Sequence, residues 1–483
     1  MKKNIISLFA FAMLCLSATT GMAVNANTLY GKDIAAVKGA TSQVVNLYMG
    51  NQTPICGLQF DMYLPDGITM KSITLGAERF EDLTYTLASE KQADGAIRVF
   101  CATSILTDAI WDDDIDGKDI RQTAPVFNVT LDIAEGCCVG AYDVEIGNIT
   151  FSHYDEATRK ATKLLGDNSA SMLMIKPASG VEGNESENIL SIATGTGENV
   201  DKDTYNGIVE GKDDVEVVDL RAATIGGDIT SADDLKTDGM SDNVLFFLPE
   251  ESEVTGNNVI VNGSCDKFAI TDGANIKCPR GFNALVATYK RNFKNHAWQP
   301  LYLPFAVVAD VLTGDFEIAK FSNSQDNEKE INVENVTSGT LEANSPYLIR
   351  LKDERALGEY DIPGESDVEK TLDKEMMVGP YYKLKTTYKK ISGTDLQGKY
   401  ALVGGVFKKA GNAASLGAFR IYLEAVSSSA KDEVTLSFDE PTGIRSAVQS
   451  HENTAERYNL NGMRVDSNYK GIVIANGRKE IWR

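Results

Sequence analysis

Apolar side chains recur at every second position in several stretches of this chain. Leu58, Phe60, Met62 and Leu64 alternate with Gln59 and Asp61, and Tyr63 completes the run as an amphipathic residue. Phe127, Val129, Leu131 and Ile133 repeat the pattern against Asn128, Thr130 and Asp132. A period of two is that of a strand with one buried and one solvated face. Gly95 to Cys101 supplies a third candidate strand, and Pro65-Asp-Gly67, Asp94-Gly95 and Asp116-Gly117 supply the turns between runs. Short strands at this spacing predict a β-sandwich over residues 28–177.

The character then changes. Residues 178–205 are small, polar and acidic, as in Gly180-Val-Glu-Gly-Asn-Glu-Ser-Glu187 and Thr194-Gly-Thr-Gly-Glu198. Such a composition predicts a linker, because it buries too little apolar surface to offset the entropy of ordering. Over 206–285 the apolar runs are very short: Val215–Val218, Val244–Leu248, Val259–Val261 and Phe268–Ile270. Strands of that kind stack into a small parallel roll or coil, as in the caps of solenoids. Longer runs return over 286–440, including Trp298–Pro304, Pro346–Leu351 and Ala418–Leu423, and predict a second sandwich-like domain. Residues 441–455 read as a second linker. Residues 456–483 read as a small β tail whose Asn461-Gly462 and Asn476-Gly477 pairs are type I′ turn signals. The predicted fold class is all-β and multidomain, as 483 residues exceed a single core.

Residues 1–26 have the form of a secretory leader: Lys2 and Lys3, an apolar run from Ile5 to Leu16, and small residues ending at Ala23 or Ala26. No later apolar run approaches the roughly 20 residues of a spanning helix. The expected location is therefore extracellular or the outer cell surface, with export by a Sec signal peptide. The formal charge is −22, a surface that repels nucleic-acid phosphates and anionic lipid and favours solubility. The tail reverses this sign, with six basic side chains against three acidic ones from Glu456 onward.

After the leader, Cys56, Cys101, Cys137, Cys138, Cys265 and Cys278 remain. An even number in an exported chain permits disulfides, and Cys265 with Cys278 is the pair placed to close a small loop. The alternative is that all six are small apolar core groups. Asp112, Asp114, Asp116 and Gly117 match positions one, three, five and six of a calcium loop. Position twelve is Thr123, where a bidentate acid belongs, so a solvated acidic hairpin loop is the competing reading. Calcium is the one cofactor the chain suggests. Trp111 beside this loop, and Trp298 near His296, are candidate platforms for a sugar ring, or else core plugs. His153, His296 and His451 lie far apart and outside any hydrolase motif, so no catalytic residue is assigned.

Pro54-Ile-Cys-Gly-Leu-Gln-Phe-Asp-Met-Tyr-Leu-Pro-Asp-Gly67 and Asp94-Gly-Ala-Ile-Arg-Val99 resemble the cohesin-like, carbohydrate-binding-module-like sandwich of secreted proteins of anaerobic Gram-negative bacteria. The tail from Tyr458, with its Asn-Gly turn and Lys470-Gly-Ile472 strand, resembles the C-terminal sorting domain of type IX secretion. Such tails more usually finish in lysine and valine, whereas this one ends Glu480-Ile-Trp-Arg483. The resemblance implies a multidomain surface protein without catalytic groups, attached to the outer surface. On this reading the chain is a non-catalytic binding or adhesion protein that contacts a polysaccharide or a surface protein through sandwich loops. A spacer in a surface assembly and, more distantly, a glycan hydrolase are the alternatives.

Overall fold

The computed structural model describes residues 27–51, 53–81, 83–106, 110, 124–322, 328–426, 432–438, 457–459, 471–475 and 478–482. The chain is all-β and multidomain, and divides into two compact units, one running to Ser437 and the other from Phe438 to Arg483.

The first unit begins with a sandwich. Its strands are β1 (Thr28–Gly31), β2 (Ile34–Val37), β3 (Gln43–Gly50), β4 (Gly57–Tyr63), β5 (Ile68–Leu75), β6 (Thr86–Lys91), β7 (Ile97–Ala102), β8 (Phe127–Ile133), β9 (Gly140–Asp155), β10 (Lys160–Leu165) and β11 (Ser169–Lys176). One sheet has the order β1-β3-β8-β5; the other runs β2-β11-β9-β4-β7-β6, with β10 against β9. Val45, Leu47, Phe127, Val129 and Leu131 from the first sheet meet Phe60, Met62, Val99, Ile146 and Phe151 from the second. In β8 the alternation is as the sequence predicts: Phe127, Val129, Leu131 and Ile133 are buried, and the residues between them are half-buried.

β4 departs from that pattern. Asp61, expected on a solvated face, is 1% exposed. Its carboxylate accepts two hydrogen bonds from Arg98 on β7, both 2.7 Å, and one from the Asn148 amide at 2.9 Å. Asn148 has φ 52° where β9 shifts register against β4, and this bulge aims its side chain at Asp61. The Arg98 fork, against the effect of burial, holds the Asp61 carboxyl below its ordinary value.

Residues 178–205 are not a linker. They form β12 (Val181–Ser186) and β13 (Ile189–Thr194), a hairpin turned by Glu187 and Asn188 at φ 51° and 65°, and then the start of helix α1 (Lys202–Val209). The polar composition is that of an edge strand, while β13 buries Leu190, Ile192 and Ala193. β13 opens a parallel ladder with β14 (Val217–Ala222), β15 (Leu245–Leu248) and β16 (Val259–Val261). Leu190, Val218 and Phe246 stand side by side, a spacing of 28 residues at each step. These strands form a parallel ladder, with α1 and α2 (Ala232–Leu235) on the paths between them. Asp201 caps α1 through the Thr204 N–H at 2.8 Å, Ser231 and Asp234 form a capping box on α2, and the Tyr205 hydroxyl donates to the Leu235 carbonyl at 2.6 Å.

β17 (Ser264–Thr271) joins β16 antiparallel at Val261 and Ser264 and pairs parallel with β18 (Phe282–Phe293), which in turn pairs antiparallel with strand Gly358–Gly364. The boundary expected between 285 and 286 therefore falls inside β18. A ten-stranded sheet built from residues 299–438 completes the unit, and one core runs from Val217 and Phe247 to Leu351 and Phe419. The junction is fixed by Asp272, just past β17. The Arg420 guanidinium grips both oxygens of its carboxylate, at 2.8 Å for Nη2 to Oδ2, and the Tyr289 hydroxyl donates to it at 2.6 Å. Arg291 Nε stands 3.6 Å away, on a side chain only 2% exposed. In the second unit, strands Arg457–Asn459, Gly471–Ala475 and Arg478–Trp482 form a three-stranded antiparallel sheet, with Ala475 opposite Arg478; the expected Asn476-Gly477 turn lies outside the described residues. The expected linker 441–455 and the Asn461-Gly462 turn lie outside the described residues.

Asp272→Ala leaves the buried Arg291 and the half-buried Arg420 without their carboxylate and is expected to destabilise the first unit by about 3–5 kcal/mol, seen as an earlier urea midpoint. A loss below about 1 kcal/mol would show that the cluster does not clamp the junction. Glu216, fully buried and hydrogen-bonded to the Asn188 amide at 2.9 Å, titrates above the ordinary carboxyl value because burial disfavours its charge. The folded protein therefore retains a proton that the unfolded chain has released, and stability falls as pH rises from the unfolded carboxyl pKa through the folded one. Glu216→Gln should remove this fall: melting temperatures of variant and parent are expected to agree near pH 4 and to diverge in the variant's favour at pH 7.

Candidate functional site

β11 turns Leu173 and Ile175 into the sandwich core and leaves Met172, Met174 and Lys176 on its other face. That face meets the parallel ladder. Val139, Ala193 and Ala222 form a small core between the two, with Met174 packed against it. Gly140 makes this approach feasible: a Cβ there would lie 2.9 Å from Ser191 Cβ, and its φ of 138° excludes most side chains besides. Lys38 pairs with Glu182 at 2.7 Å and Arg280 with Asp143 at 3.3 Å, fastening the seam on both sides.

Where the seam opens it leaves a groove of about 940 Å³. Its floor is apolar, made by Met172, Met174, Phe247 and Ile260. Arg221 lies across this floor, stacked 5.4 Å over the Phe247 ring. Its guanidinium forks onto Asp219, with Nε to Oδ1 at 3.0 Å and Nη2 to Oδ2 at 2.7 Å, and also donates to Met172 Sδ and the Ala141 carbonyl, each at 3.4 Å. One lip is acidic: Glu250, Glu251 and Glu253 are exposed in the loop that follows β15, and Asp33 faces the groove from the sandwich, accepting the Met172 N–H at 2.7 Å. Thr224 and the Gly226-Gly227 turn complete the wall. Among the described residues, the lining contains neither histidine nor cysteine. It presents a thioether surface from Met172 and Met174, a guanidinium held by Asp219, and exposed carboxylates at the rim.

The residues singled out from the sequence lie elsewhere. Trp111, Asp112, Asp114 and Asp116 fall outside the described residues; the flanking Ile110 and Ala124 are buried. Among the described residues, no cluster of three or more His, Cys, Asp or Glu side chains could hold a metal ion. Trp298 is half-buried at the start of a strand remote from the groove lining. The Arg350 guanidinium sits 5.2 Å over its ring and pairs with Glu317 at 2.6 Å, so one face of this proposed sugar platform already carries a cation. His296 Nε2 lies 3.0 Å from the Arg355 carbonyl, and His153 Nδ1 2.8 Å from that of Pro54.

Cys265 and Cys278 form no disulfide; both are free thiols in the core shared by the ladder and the ten-stranded sheet. Each fills space beside aromatic and aliphatic side chains, and burial pushes the Cys265 thiol up to about 11. The groove leaves little trace in the sequence because its parts are dispersed: Asp33 stands 139 residues before Met172, and Met172 stands 75 before Phe247. The one local signal is the run Pro249-Glu-Glu-Ser-Glu253 directly after a strand buried along its whole length.

No family model and no curated protein matches the chain. Among solved structures it is similar to the seventh type I cohesin of ScaB from Pseudobacteroides cellulosolvens, at 14% identity over 33% of this chain and 98% of that one, with a TM-score of 0.26. It is also similar to a non-cellulosomal cohesin from the archaeon Archaeoglobus fulgidus, at 12% identity over 31% and 91% of the two chains, with a TM-score of 0.23. A third likeness is to a type I cohesin–dockerin complex from Clostridium thermocellum, at 11% identity over 33% and 99%, with a TM-score of 0.23.

Thiol labelling follows directly from this arrangement. Cys138, the exposed member of the vicinal pair, is expected to react with a maleimide in the native protein, whereas Cys101, Cys265 and Cys278 react only after denaturation without reductant. Recovery of a Cys265–Cys278 disulfide peptide by mass spectrometry would contradict the structure.

Proposed function

We propose that this chain is an exported, non-catalytic binding protein that holds a partner protein at the cell surface, with the groove between the sandwich and the parallel ladder as its recognition site. The groove carries the proposal. It is formed between two fastened bodies, it exposes apolar surface beside unpaired acids, and its arginines are already committed to Asp219 and Asp143. A guanidinium locked in this way by a bidentate carboxylate shapes a surface. The leader at 1–26 and the resemblance of the tail to a secretion sorting domain support the location. Among the described residues, no helix is long and apolar enough to cross a membrane. A protein partner is favoured over a glycan because the aromatic surface a sugar stacks on is scarce in the groove, where the Phe247 ring lies under Arg221.

Photocrosslinking tests this. A benzoylphenylalanine placed at Thr224, exposed in the groove wall, is expected to give a discrete protein adduct with envelope material from the source organism. The same residue at Glu156, in the β9–β10 turn, is expected to give none. Equal labelling from both positions, or none from Thr224, would remove the groove as the recognition site. Release of sugars from any polysaccharide would replace the binding reading with a hydrolytic one.

A further inference from the structure

The groove also specifies what kind of segment fits it. Its basic groups are neutralised internally: Arg221 by the Asp219 fork, and Arg280 by Asp143. The four acids at its rim are not. Asp33, Glu251 and Glu253 have no salt bridge among the described residues, and Glu250 accepts only the Asn262 amide at 3.1 Å. With Lys176 the only other cation in the lining, the rim is left with an excess of negative charge above an apolar floor. The chain as a whole, at −22, adds to that field rather than opposing it.

Resting on the binding reading above, we propose that the groove takes an extended cationic polypeptide segment whose apolar side chains lie against the half-buried Met172 and Met174 while its lysines or arginines reach Asp33, Glu250, Glu251 and Glu253. Charge complementarity selects the cation. The floor selects a polypeptide: methionine side chains repack around aliphatic groups of varied shape, and the methylene stems of lysine and arginine cover apolar surface while their heads stay in water. A nucleic acid is repelled by the same acids. The volume lies at the upper end of the range of about 300–1,000 Å³ typical of ligand sites, with room for several side chains rather than one. Because the rim charges are solvated, the interaction depends steeply on ionic strength.

The test uses the full mature protein and two labelled peptides of equal length, one alternating leucine with lysine and the other leucine with glutamate. Fluorescence anisotropy is expected to show binding of the lysine peptide alone. Affinity should fall about tenfold or more when salt is raised to about 0.5 M, where screening is effective within a few ångströms. Glu250→Gln/Glu251→Gln/Glu253→Gln is expected to weaken binding by a similar factor. Glu78→Gln/Glu90→Gln/Glu156→Gln, the same charge change on exposed sandwich residues outside the groove, is expected to leave it unchanged. Equal losses in the two triple variants would reduce the effect to general attraction between a cation and an acidic protein, and would overturn the proposal. So would equal binding of the glutamate peptide, or full displacement of the lysine peptide by spermine at matched charge. A groove-specific photoadduct at Thr224 together with any of these results would leave the binding function standing and refute only the cationic segment; absence of both would refute the two together.

Discussion

The Asp272 carboxylate, held between Arg420 and Arg291, is the interaction on which the arrangement of the first unit depends. It sits where β17 ends, at the point where the chain must turn back to start β18. The turn is also held by Asn243, whose side chain accepts the Thr271 N–H at 2.7 Å and donates to the carbonyls of Thr271 and Ala274. Burial alone would push the Asp272 carboxyl up, but the Arg420 fork and the nearby Arg291 charge reverse that and hold it below its ordinary value. A buried ion pair adds little net stability over a well-packed apolar group, but removing one member is costly, so its main effect is to make one arrangement of the partners far better than others. Here the partners are the end of the ladder and a strand of the ten-stranded sheet, 148 residues apart in sequence. Once they are locked, Phe247 and Ile260 belong to the same core as Phe419, and one wall of the groove becomes part of a rigid body.

The other wall is set by simpler means. The sandwich approaches the ladder through small residues, with Gly140 against Ser191 and Ala193 and Ala222 beside Val139. Small groups allow backbones to come close but bury little area, so the seam relies on ion pairs at its margins. Lys38–Glu182 and Arg280–Asp143 are partly solvated, and each contributes modestly on its own. Arg221 does more, because a single side chain binds Asp219 of its own strand, stacks on Phe247 and reaches the Ala141 carbonyl across the seam. The same residue is both a brace for the junction and the centre of the groove floor.

How much of this was legible depended on the distance over which each signal acts. Alternation in β8 is local and legible, because hydrophobic burial on one face of a strand writes itself into neighbouring residues. Asp61 could not be read, since its burial depends on Arg98 and on the Asn148 bulge, both distant in sequence. The stretch 178–205 misled for a related reason. β12 is a polar edge strand whose composition matches a linker, and only its pairing with β13 orders it. The 28-residue register is hidden because its partners, Leu190, Val218 and Phe246, share apolar character but no motif. The cysteines suggested a disulfide on the strength of parity and compartment, whereas the core uses Cys265 and Cys278 as small apolar groups. The groove is the extreme case, as its floor joins β11 to β15 and β16, and no local pattern encodes that meeting.

A site formed in this way has a consequence for how it binds. The strands beneath the groove bury their side chains, and the floor guanidinium is held by a bidentate partner before any ligand arrives. Ordering costs on the protein side are therefore small, and affinity is set by what the incoming segment must give up. A segment that is already extended loses less on entering than one that must unfold, and the solvated rim acids raise the encounter rate without adding much to the contact itself. On the binding reading proposed above, recognition by this groove is fast, salt-sensitive and tolerant of sequence within the limits of charge and apolar spacing.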